Sequence, residues 1–100
     1  MNLGKKQTHY LREAHIDFTS FDIVDIAPQP NDHAVVILTH KDPRIGHLRF
    51  NVQYRGKSLW YESLERLMDI CVSMKLYRRT EANRVLKNFY ETKAGGNGND

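Results

Sequence analysis

The apolar residues of this chain change their period partway along it, and that change limits the folds open to it. From Ile16 to Tyr54 they fall in short runs of Ile, Val, Phe and Thr, the residues that fit a pleated strand. From Trp60 onward they recur at spacings of three and four, first through Trp60, Leu64, Leu67, Met68, Cys71 and Met74, then through Ala82, Val85, Leu86, Phe89 and Tyr90. An antiparallel sheet followed by two helices satisfies both periods. Before them, Leu3, Gln7, Tyr10, Leu11 and Ala14 share one helical face, which predicts a short amphipathic helix over 3–14. The expected fold is therefore α+β, a three-stranded antiparallel sheet with helices packed on one face, in the order α-β-β-β-α-α.

Residues 16–26 predict the first strand, ended by Ala27-Pro28-Gln29-Pro30-Asn31-Asp32 because proline cannot donate to a ladder. Alternation within it slips between Phe18 and Phe21, so a bulge is expected near Ser20. Residues 33–40 and 47–54 form the next two strands, joined by a loop over 41–46 that contains Pro43 and Gly46. Pairing His40 with His47 sets Thr39 against Leu48, Ile37 against Phe50, Val35 against Val52 and His33 against Tyr54. Val35, Ile37, Leu48, Phe50, Val52 and Tyr54 then face the core. The other face carries Ala34, Val36, Leu38 and His40 beside His47, Arg49, Asn51, Gln53 and Arg55, and its row of Arg49, Asn51 and Gln53 is too polar to bury without partners. Gly56-Lys57-Ser58 closes the sheet, Ser58 caps a helix running to about residue 76, and Thr80 caps the last helix. One hundred residues suit one domain, expected over 1–93, with the Gly- and Asn-rich stretch 94–100 as a disordered tail.

The net charge of +3 conceals a block pattern. Residues 13–40 hold acids and no Lys or Arg, whereas 41–57 and 75–93 are rich in both bases. At 40% hydrophobic and 27% charged, the composition excludes a largely disordered chain. A single cysteine, Cys71, excludes an intramolecular disulfide framework. No apolar run approaches a membrane span, and the expected location is the cytoplasm.

Catalytic signatures fail one by one. Gly56-Lys57-Ser58 mimics the end of a phosphate-binding loop, but Asn51 stands where that loop needs its first glycine. Cys71 sits on the apolar stripe without a histidine partner. His40, His47 and Asp42 supply too few converging ligands for zinc. Asp22 and Asp25, three apart on a strand, point to opposite faces unless a bulge intervenes. The expectation is a protein without enzymatic activity, metal, cofactor, small-molecule substrate or membrane partner.

What remains is basic surface. Arg49, Asn51, Gln53, Arg55 and Lys57 on the sheet, and Arg78, Arg79, Arg84 and Lys87 around the last helix, offer donors for phosphates and bases. They point to a small regulatory or accessory protein that docks on nucleic acid or on a nucleic-acid-processing complex. The alternative is a protein–protein interaction module, an inhibitor of a larger machine or a small homodimeric adaptor, which would use Val36 and Leu38 on the outer sheet face as its apolar contact.

Overall fold

A computed structural model describes residues 16–95. The helix expected over 3–14 lies outside the described residues, as do residues 96–100. The fold is α+β, and its sheet has four antiparallel strands rather than three: β1 (Phe21–Gln29), β2 (His33–His40), β3 (Phe50–Tyr54) and β4 (Lys57–Tyr61), side by side in chain order. Two helices follow, α1 (Leu64–Ser73) and α2 (Arg79–Gly95). The expected domain boundary at residue 93 falls inside α2.

The fourth strand corrects the helix expected from Ser58. Arg55 and Gly56, with φ of 49° and 80°, form a two-residue turn between the paired Tyr54 and Lys57, and positive φ at both central positions is the turn whose twist matches a hairpin. The chain after Gly56 therefore returns along β3. Ser58-Leu59-Trp60-Tyr61 suits a strand by composition, and only the chance spacing of Trp60 from Leu64 lends it a helical look. The helix starts five residues later, where the Ser63 hydroxyl accepts the Arg66 N–H at 3.2 Å. Likewise Thr80 lies inside the first turn of α2, and the Glu81 carboxylate, at 2.9 Å, accepts the Arg78 N–H that precedes the helix.

The β2–β3 register is displaced by two residues from expectation, with Val35 opposite Tyr54, Ile37 opposite Val52 and Thr39 opposite Phe50. A shift of two conserves the face of every side chain. Val35, Ile37, Phe50 and Val52 accordingly form the core with Leu64, Leu67, Met68 and Cys71 of α1 and with Tyr77 and Ala82. Both described helices pack on this face. His47 and Leu48 leave the ladder for a 3-10 turn, Pro43–Leu48, capped by Asp42, whose carboxylate accepts the Arg44 N–H at 3.0 Å. Leu48 is exposed instead of facing the core, and His40 accepts the Asp42 N–H on Nδ1 at 3.0 Å rather than facing His47.

β1 begins at Phe21 rather than Ile16 and runs through Pro28 to Gln29, three residues past its expected end, because an edge strand needs no N–H on its open side. Its bulge lies between Ile23 and Asp25, not near Ser20. The extra residue brings Ile26 back to the face of Ile23, where both meet Val36 and Leu38, and turns Asp25 toward the helices. There the Tyr77 hydroxyl donates to Asp25 at 2.5 Å. Asp22 and Asp25 thus share a face, but Asp22 looks to Lys41 at 4.0 Å, and the two do not act as a pair.

Candidate docking site

The outer sheet face is more closed than its sequence suggests. Val36 and Leu38 are each 2% exposed, packed with Ile16, Phe21, Ile23 and Ile26, so they are interior residues and not the apolar contact expected of them. Asn51 is fully buried. Its side-chain N–H groups donate to the Ser58 hydroxyl at 2.8 Å and the Leu59 carbonyl at 3.0 Å, which fastens β3 to β4, and the rings of Phe21 and Trp60 meet 5.6 Å apart on the same face. Asn51 is therefore a structural residue. Arg49 and Gln53 are partly buried, and the Arg49 guanidinium lies 4.9 Å over the Phe50 ring with its Nε enclosed. A row expected to present three donors presents at most the ends of two.

The remaining cations separate by their partners. Arg79 donates to Asp69 at 2.8 Å, and Arg44 makes two bonds of 2.9 Å to Asp42, which hold that carboxyl below its usual range. Arg55, Lys57, Arg78, Arg84 and Lys87 are exposed and have no carboxylate within ion-pair distance among the described residues. Arg84 lines a cleft of about 330 Å³ between β1 and α2, but it does so with Asp25 and Glu81, so that cleft has mixed sign.

The others gather. Lys57 lines a shallow apolar depression with Leu59, Met74 and Leu76, so the tip of the β3–β4 hairpin stands beside the loop between α1 and α2. Arg55 and Lys57 therefore lie at or next to the hairpin tip, and the exposed Lys75 and Arg78 in the loop that passes it. Lys75 was missing from the residues expected at the site, because nothing local says that its loop meets the hairpin tip. It has φ of 62° and closes α1: Leu76 N–H bonds to the Cys71 carbonyl at 2.9 Å and Lys75 N–H to the Val72 carbonyl at 3.0 Å. Glycine is the usual residue at such a position, and Asn or Gly at that of Arg55. Two of the four cations are thus held in left-handed backbone that disfavours them.

Two buried groups elsewhere are shifted from their ordinary ionisation. Burial pushes the Cys71 thiol up to about 11, which leaves it protonated and inert at neutral pH. Burial and the neighbouring Asp25 raise Tyr77 far above the ordinary phenol range. No three His, Cys, Asp or Glu side chains among the described residues are grouped to hold a metal ion, and none of the described helices is long and apolar enough to cross a membrane. Comparison with protein-family models, with curated proteins and with solved structures returns no match.

Proposed function

We propose that this protein is a non-enzymatic accessory protein that docks on nucleic acid, or on a complex that processes it, through the end formed by Arg55, Lys57, Lys75 and Arg78. The observation that carries this reading is the conflict at Arg55 and Lys75. A long cation in the left-handed region costs of order 1 kcal/mol relative to glycine, and residues that break a local rule cluster where a surface is used. Tyr54 beneath Arg55 adds a ring at 6.0 Å on which the guanidinium can rest. The rival reading, a protein-binding module, loses Val36 and Leu38, its expected contact, to the interior.

The test is fluorescence anisotropy with duplex and single-stranded probes at two salt concentrations. Replacing Arg55, Lys57, Lys75 and Arg78 together by Gln should weaken binding and reduce the salt slope by about 0.7 to 0.9 for each phosphate no longer neutralised. Gln at Arg84 and Lys87 should change it less. A folded wild-type chain that binds neither probe near physiological salt would remove the reading.

A further inference from the structure

The two edges of the sheet are built differently. β1 is guarded: Pro28 has no N–H, the bulge at Ile23/Asp25 interrupts the ladder, and Asp22 stands exposed beside it. β4 has neither proline nor bulge, and its only charge is Lys57 at its start. Lys57, Ser58, Leu59 and Trp60 are all exposed, with Leu59 at 38% and Trp60 at 41%, and Met74, at 41%, adds to the apolar surface that Leu59 shares along α1. An unbulged edge with exposed apolar side chains at its middle is a template for another strand.

We propose that β4 pairs antiparallel with β4 of a second copy of this chain, about a two-fold axis through Leu59. The strand is self-complementary in that arrangement. Leu59 meets Leu59 on the axis, the small Ser58 lies opposite the bulky Trp60 of the other copy, and Lys57 lies opposite Tyr61. Charge selects the direction. Arg55 and Lys57 stand at the start of the strand and the exposed Glu62 just past its end, so antiparallel pairing brings the basic end of each copy to the acidic end of the other, whereas parallel pairing would set like against like. The guarded β1 edges cannot continue the sheet, and assembly closes at two. This inference does not rest on the nucleic-acid reading, although the two share Arg55 and Lys57: the second copy is recognised by the middle of β4 and by the pairing of those cations with Glu62.

Sedimentation equilibrium of the full chain across the micromolar range tests it. The wild type should form a dimer, and Leu59→Asp, an exposed substitution, should make it monomeric. Lys57→Glu and Glu62→Lys should each weaken self-association by about tenfold. An equimolar mixture of the two should recover the dimer, because each interface then pairs opposite charges. Recovery on mixing cannot come from misfolding, so it isolates the proposed register. A monomeric wild type, a dimer indifferent to Leu59→Asp, or a mixture no better than its components would each overturn the proposal. Self-association is read without any oligonucleotide, and Leu59→Asp and Glu62→Lys leave the four docking cations in place, so failure of the dimer and failure of nucleic-acid binding are told apart.

Discussion

At the scale of single residues, the chemistry of Cys71 gives a prediction whose sign follows from burial. The folded chain holds the thiol at about 11, above the value of 9.0 typical of an exposed one, so unfolding lets the thiol ionise more readily. The contribution is fully present below about pH 9 and is lost as pH rises through about 11, a fall of about 2 to 3 kcal/mol if the thiol alone is counted. Tyr90, pushed up to about 12 by burial and by its bond to Glu65, and Tyr77, higher still, act in the same sense. Urea denaturation from pH 8 upward should therefore show declining stability, and Cys71→Ala should flatten the part between 9 and 11. Of the four residues of the proposed docking site, composition and charge name Arg55, Lys57 and Arg78 and omit Lys75. Asn51 was misread because an amide on a polar row looks solvated until its partners on β4 are known, and those partners lay in what reads as a helix.

At the scale of elements, the β3–β4 hairpin and the end of α1 set up a trade between folding and binding. Arg55→Asn supplies the residue that this turn prefers, and Lys75→Gly the residue that closes a helix most easily. Each should raise stability by about 0.5 to 1 kcal/mol in thermal or urea unfolding, while lowering affinity for an oligonucleotide. A fall in stability for both variants would mean that the cations are held there by interactions of their own. Much of the architecture was legible at this scale. Face assignment survived a wrong register because the error was an even number of residues, and of the stripe expected from Trp60 to Met74 the four central residues, Leu64, Leu67, Met68 and Cys71, are buried while Trp60 and Met74 are exposed. β4 was not legible. Arg in place of the usual Asn before Gly56 hides the turn, and the strand is too short for alternation to outweigh the helical period that follows it.

At the scale of the whole molecule, charges that the sequence places in separate blocks come together only when the hairpin tip meets the α1–α2 loop, a long-range juxtaposition that no local pattern encodes. The same reasoning applies to the bulge of β1, whose effect reaches both faces of the sheet. It absorbs one extra position, Val24, so that the residues after it keep the faces a regular ladder would give them without it. Substituting Val24 by Ala should trim packing and little more, and deleting Val24 should close the ladder with Asp25 still opposite Ile37 and Ile26 still opposite Val36, so that Asp25 keeps Tyr77. Deleting Val24 and Asp25 together should instead turn Ile26 and Ala27 to the wrong faces. A comparison by thermal unfolding should show the double deletion far more costly than the single one. For this segment, then, the parity of the chain matters more than its length. Related chains should accept a gap of one residue at position 24 and should not tolerate a gap of two there.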